Sequence, residues 1–193
     1  MDIAVIIPTI RIQSAAECID SINLNAGIEH TIICEVDRER IGCPKMVKRM
    51  VNNHKYDMYC FLGDDTRGEL NFLKIAVDYM NKMEWGLVGL NDGSGHICSH
   101  WLAHRNLLEH LGGEFFHTGY KHCCSDDELL ARCKLLGRYV YAEDAKIKHL
   151  HPAISKKCEW DEDYRKVYSP EYIKHDRELF LKRKASKWQN KFL

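Results

Sequence analysis

The sequence predicts an α/β fold with a mostly parallel central sheet flanked by helices. Short apolar runs alternate with amphipathic stretches in the order strand, helix, strand, helix, strand, which reads as right-handed crossovers. The runs are apolar on both faces, as strands covered by helices on either side require. At 193 residues the chain can hold one domain with a full core, or one domain with a small appendage.

Residues 3–9 form the first strand, an apolar run interrupted by Pro8, with Thr9, Ile10 and Arg11 on the loop beyond. Ser14 is the expected cap of the following helix. Ala15, Ala16, Cys18, Ile19 and Ile22 form its apolar face, and Asn25-Ala26-Gly27 closes it. Residues 31–37 make a second strand ending in Asp37. Gly42-Cys43-Pro44 then opens a basic helix over 45–51, before a strand at 58–62.

That third strand ends abruptly in Gly63-Asp64-Asp65. Ligands of open α/β sheets bind outside the carboxyl ends of the strands, where these acids fall. Adjacent carboxylates repel unless a cation relieves them, and hard cations such as Mg²⁺ or Mn²⁺ take oxygen ligands. A solvated turn with Thr66 capping a helix is the other reading. Thr9, Arg11, Asp37, Asp64 and Asp65 emerge from separate strands along one edge, and this convergence favours a binding cleft.

A helix is expected over 69–83, with Leu70, Leu73, Ala76, Val77 and Met80 as core, and a strand over 85–90. The glycines at 93 and 95 lack phosphate-loop spacing. His96, His100 and His104 fit one face of a strand, on which they are too spread to share an ion. A short helix over 105–111 closes at Gly112-Gly113. Ser125 is the expected cap of an acidic helix start, and a carboxylate there, facing a cleft, is a serviceable general base. Strands follow at 138–142 and 146–152, the second pointing His149 and His151 the same way. An aromatic segment with Trp160, Tyr164, Tyr168 and Tyr172 leads into a basic tail.

Charge excludes some classes. Lys+Arg and Asp+Glu both number 28, so no global field draws the chain to nucleic acid or membrane. Lys182, Arg183, Lys184, Lys187 and Lys191 are expected on a solvated helix; contact with the phosphates of an acceptor such as DNA is the alternative. No apolar stretch approaches the roughly eighteen residues of a membrane span, and Met1-Asp2 does not open a signal peptide. Nine cysteines without a CxxC pair read as reduced thiols, so the expected location is cytoplasmic.

Taken in order, Ile6-Ile7-Pro8-Thr9, Phe61-Leu62-Gly63-Asp64-Asp65, Leu111-Gly112-Gly113-Glu114-Phe115 and residues 126–132 resemble a family 2 glycosyltransferase of the GT-A fold. The resemblance covers about residues 3–152. It implies a single Rossmann-like GT-A domain over 1–152, with 153–193 as a helical extension packed on it. It also implies a metal-dependent, hexosyltransferase-type enzyme using Mn²⁺ or Mg²⁺. Such an enzyme moves a sugar from a nucleotide-diphosphate donor, UDP-sugar first, to a hydroxyl of a glycan, protein or modified-DNA acceptor.

In that family strand-end acids hold the metal under the donor diphosphate. Here Gly63 stands where the first acid would be, Asp65 matches the metal ligand, and Asp64 is its sugar- or ribose-contacting neighbour. Pro8, Thr9, Arg11, Asp37 and Lys45 complete the donor set, and His149 or His151 is a second metal ligand or diphosphate contact. Residues 126–132 loosely match the family's acidic motif, which makes Asp126 the general base and Asp127 the next register. Helix-start N–H groups are expected to keep the Asp126 pKa low. One displacement by the activated hydroxyl inverts the anomeric centre.

Two other classes remain. A nucleotidyltransferase would attack the α-phosphate, and would show a Gly-rich basic loop where this chain has Pro8-Thr9-Ile10-Arg11. A silent nucleotide-sugar-binding module would have no need of Asp126.

Overall fold

The computed structural model describes residues 1–95, 98–155 and 158–188. Among them, seven strands form one sheet in the order β2-β1-β3-β6-β5-β7-β4. β1 (Ile3–Thr9) lies between β2 (Thr31–Val36) and β3 (Met58–Phe61), parallel to both. β5 (Leu87–Asn91) and β7 (Tyr139–His149) run parallel to each other, and β6 (Trp101–His104) is antiparallel to β3 and β5. β4 (Thr66–Gly68) pairs antiparallel with the end of β7. The sheet is therefore mostly parallel, with β6 and β4 reversed. Only residues 62–65 separate β3 from β4, too few for the crossover that a parallel pairing needs.

The central strands divide their side chains between two cores. Val5, Ile7 and Cys60 face α1 (Ile12–Asn25) and α3 (Phe72–Met83). Ala4, Ile6, Tyr59 and Phe61 face α2 (Cys43–Asn53) and α5 (Ser125–Leu135), with Trp101, Phe115 and Phe116. This period-two division explains why the runs read as continuously apolar. α4 (Leu107–His110) is a single short turn of helix before Gly112-Gly113.

Local expectations differ where side chains found other partners. Ser14 lies inside α1 and donates its hydroxyl to the Asp64 carbonyl at 2.9 Å instead of capping. Thr66 opens β4 rather than a helix, α3 begins only at Phe72, and Leu70 is 73% exposed. The separate strands at 138–142 and 146–152 are one strand, β7, whose irregularity opposite Leu90/Asn91 breaks the alternation that sequence shows. Ser125 is the first residue of α5; the cap position belongs to Cys124, in the left-handed region at φ 64°.

The C-terminal segment folds as α6 (Glu162–Val167), capped by Asp161, and α7 (Pro170–Ala185), capped by Ser169. Asp176 of α7 is fully buried and accepts from the backbone N–H groups of Lys121, His122 and Cys123 at 2.7–2.8 Å. Arg183 also turns inward, onto Glu128, so α7 is not solvated all round. Lys191 of the basic tail and His96 of the histidine series lie outside the described residues. Among those residues, no helix is long and apolar enough to cross a membrane.

Candidate functional site

A cavity of about 730 Å³ opens beyond the ends of β1 and β3. Every side chain assigned from sequence lines it. Pro8, Thr9, Arg11, Asp37, Lys45 and Asp64 contribute, as do Asp65, His149 and His151, and Asp126 with Asp127. They do not form one cluster; they divide into three groups.

The first group is built on the end of β1. Thr9 donates its hydroxyl to Asp64 Oδ2 at 2.6 Å, and Arg11 grips both oxygens of the same carboxylate. The Arg11 guanidinium also lies 4.4 Å from the centre of the Tyr164 ring and 3.6 Å from Asp65 Oδ2. Burial opposes its charge, but the Asp64 contact outweighs burial and the Arg11 pKa is raised. Burial likewise pushes the Asp64 carboxyl up, against the pull of Arg11. Asp37 commits both oxygens to the N–H groups of Ile41 and Gly42, at 3.0 and 2.8 Å, and so shapes the loop before α2. Lys45 is exposed at the rim.

The second group centres on Asp65. The β4–β7 ladder sets Thr66 opposite His149, and the Leu150 N–H binds the Asp65 carbonyl at 2.8 Å. His149 Nε2 consequently lies 3.5 Å from Asp65 Oδ2, and Tyr164 donates its hydroxyl to the same oxygen at 2.6 Å. Burial alone would raise the Asp65 carboxyl, but His149 and Tyr164 outweigh it and hold it well below the usual range. Burial would lower His149, yet Asp65 and Asp92 raise it to about 9.

His100 completes this group. One ligand atom from each of Asp65, His100 and His149 lies within 4.8 Å of the others, an arrangement that can hold a metal ion. Of the histidine series, expected to be too spread to share an ion, His100 is placed with Asp65 and His149 instead. His100 precedes β6, whose antiparallel pairing with β3 returns the chain to the end of the acidic strand. Sequence spacing among histidines gave no sign of this, because the partners are 35 and 49 positions away. His151 is outside the group. Its ring packs among Trp160, Tyr164 and Tyr168, its Nδ1 accepts from the Ala153 N–H, and burial pushes its pKa down to about 4.

The third group is the start of α5. Asp126 Oδ2 accepts from the Ser99 hydroxyl at 3.3 Å and Oδ1 from the Asp127 N–H at 3.0 Å. The expected low pKa is reversed: burial outweighs these hydrogen bonds and raises the Asp126 carboxyl. Asp127 is more exposed, and it too is raised by burial and by Asp126. Ser99 touches Asp126 while its neighbour His100 joins the Asp65 group, so two consecutive residues link the carboxylates. Behind Asp126, Glu128 receives a forked pair of bonds from Arg183 at 2.7 and 2.6 Å and one from the Tyr120 hydroxyl at 2.8 Å. Arg132 lies against Glu128 at 3.4 Å and does not line this cavity.

No family model matches the chain, and no curated protein matches it. Solved structures do. The chain is similar to the mannosyltransferase PcManGT from Pyrobaculum calidifontis, solved with GDP-Man and Mn²⁺, at 13% identity and a TM-score of 0.63. That match covers 95% of this chain and 75% of that one. It is similar to S. aureus TarS 1-349 in complex with UDP-GlcNAc at 14% identity and a TM-score of 0.59, covering 96% and 73%. Against S. aureus TarS itself the TM-score is 0.57 at 12% identity, and the chain spans only 35% of that protein. These likenesses show the fold, which is that of the GT-A-type glycosyltransferases.

Proposed function

We propose that the chain is a metal-dependent glycosyltransferase that moves a sugar from a nucleotide-diphosphate donor to an acceptor hydroxyl, with inversion. The observation that carries the reading is the pairing, in one cavity, of the Asp65–His149–His100 group with a separate, half-buried carboxylate at Asp126. The solved relatives support it, since they carry UDP-GlcNAc in one case and GDP-Man with Mn²⁺ in another.

Asp65, His149 and His100 are the residues that would hold a divalent cation. They fit one: both imidazoles are largely buried, and one ligand atom from each of the three residues lies within 4.8 Å of the others. An ion held there would supply positive charge to a departing nucleoside diphosphate. Arg11, held by Asp64, adds a fixed positive charge on the same side. Asp126 takes the acceptor's proton as the hydroxyl attacks. Burial raises its pKa, which strengthens it as a base. Thr9, Asp37 and Lys45 are assigned to the donor, with UDP-sugar the first candidate and Mn²⁺ or Mg²⁺ as the ion. Incubation with a panel of radiolabelled nucleotide sugars, with and without Mn²⁺, tests the reading. Metal-dependent release of a nucleoside diphosphate is expected for at least one donor.

A further inference from the structure

We infer that the cation centre takes two imidazoles and one carboxylate, from His100, His149 and Asp65, that Asp92 is the positioning residue for both imidazoles, and that the centre selects a transition ion over Mg²⁺. The inference deepens the proposed function and rests on it for what the ion does, though not for how the ion is held.

The two rings are turned the same way. His100 Nδ1 and His149 Nδ1 lie 3.4 and 3.6 Å from one oxygen of Asp92, Oδ2. The Asp92 side chain is 1% exposed and that of His100 3%. All three atoms are buried without a hydrogen bond, while the other Asp92 oxygen accepts from the N–H and hydroxyl of Ser94. A ring whose Nδ1–H addresses a carboxylate presents its Nε2 lone pair on the opposite side, which is how an outer carboxylate fixes the tautomer of a ligating histidine. On that opposite side His149 Nε2 meets Asp65. The two ring centres are 4.5 Å apart and nearly perpendicular.

Gly63 leaves room for both kinds of ligand. A Cβ built there would lie 2.6 Å from Asp65 Oδ1 and 3.3 Å from His100 Nε2, so a side chain at position 63 would press first on the Asp65 carboxylate and then on the His100 imidazole. The two imidazoles set the chemistry of the centre. Mg²⁺ keeps oxygen ligands and water, whereas imidazole suits Mn²⁺, Co²⁺ and Zn²⁺ increasingly well.

The test titrates the full chain with Co²⁺, read by its visible absorption, with Mg²⁺ as competitor. Co²⁺ is expected to bind one per chain and to resist displacement by an equal concentration of Mg²⁺. His100→Ala and Asp92→Asn are each expected to weaken it about 10- to 100-fold. A second measurement needs no variant: with Zn²⁺ bound, long-range ¹H–¹⁵N spectra are expected to show two imidazoles coordinated through Nε2 with Nδ1 protonated. Displacement of Co²⁺ by equal Mg²⁺, wild-type affinity in both variants, or spectra without two coordinated imidazoles would overturn the inference. If Co²⁺ binds as described but no nucleotide sugar is consumed with any ion, the transferase reading fails and the centre stands. If donor is consumed while Co²⁺ binding ignores His100 and Asp92, the inference fails and the transferase reading stands.

Discussion

The Tyr164 hydroxyl donates to Asp65 Oδ2 at 2.6 Å, tying the C-terminal helical segment to the end of β3 across 99 positions of sequence. Burial and the neighbouring Asp65 charge raise the Tyr164 pKa, so its hydroxyl stays protonated and available as a donor. The same ring packs under Arg11 and against His151. α6 is therefore part of the wall of the cavity.

Tyr164→Phe keeps the ring and removes the donor. Asp65 then loses one of the bonds that aim it, and divalent-ion affinity is expected to fall about tenfold with the fold intact. Titration with Mn²⁺ against a thermal melt measures both. Wild-type affinity in this variant would mean that the C-terminal segment does not act on the site.

Asp126→Asn keeps the shape of the side chain but cannot accept the proton. Donor affinity is expected to survive while kcat falls by roughly two to four orders of magnitude. If Asp127→Asn is the inactive variant instead, the register is off by one; if both remain active, neither is the base. The pH profile gives a further check. The base works ionised, so kcat falls tenfold per pH unit below the Asp126 pKa. Because burial raises that pKa, the acid limb is expected above the ordinary aspartate value of about 3.9.

Glu128 carries stability, not chemistry. Burial works against its charge, but Arg183 and Tyr120 outweigh burial and lower its pKa. A folded-state pKa below the unfolded one means that the stabilisation is complete above the unfolded value, about 4.3, and is lost as pH falls through the folded value. Glu128→Gln leaves Arg183 against a neutral side chain at a largely buried site, at a cost of roughly 3 to 5 kcal/mol near neutral pH. Urea unfolding should show that difference and show it shrinking as the pH is lowered below about 4. A pH-independent difference would assign the loss to packing.

What was legible in the sequence was whatever depends on neighbours along the chain. The run at 3–9 and the acids after Phe61 show their strand directly, because burial on both faces leaves no polar residue to confuse the pattern. The cavity residues at the ends of β1, β2 and β3 follow from that alternation. What depends on pairing was not legible. His100 reaches Asp65 only because β6 runs antiparallel to β3, and nothing in residues 96–104 states that partner. Asp92 precedes glycines that have no phosphate-loop spacing and gives no sign of a role in sequence, yet it is buried behind both imidazoles. The Asp126 pKa went the other way for a related reason: the helix start is visible in sequence, but the protein packed over it is not.

The central claim is that Asp65 anchors a cation beneath a nucleotide-sugar diphosphate. The most direct measurement compares the wild-type chain with Asp65→Ala for consumption of a nucleotide-sugar panel in Mn²⁺, with circular dichroism as the control for folding. The wild type is expected to release a nucleoside diphosphate from at least one donor, and folded Asp65→Ala to release none and to bind that donor more weakly. Undiminished release by folded Asp65→Ala would contradict the account.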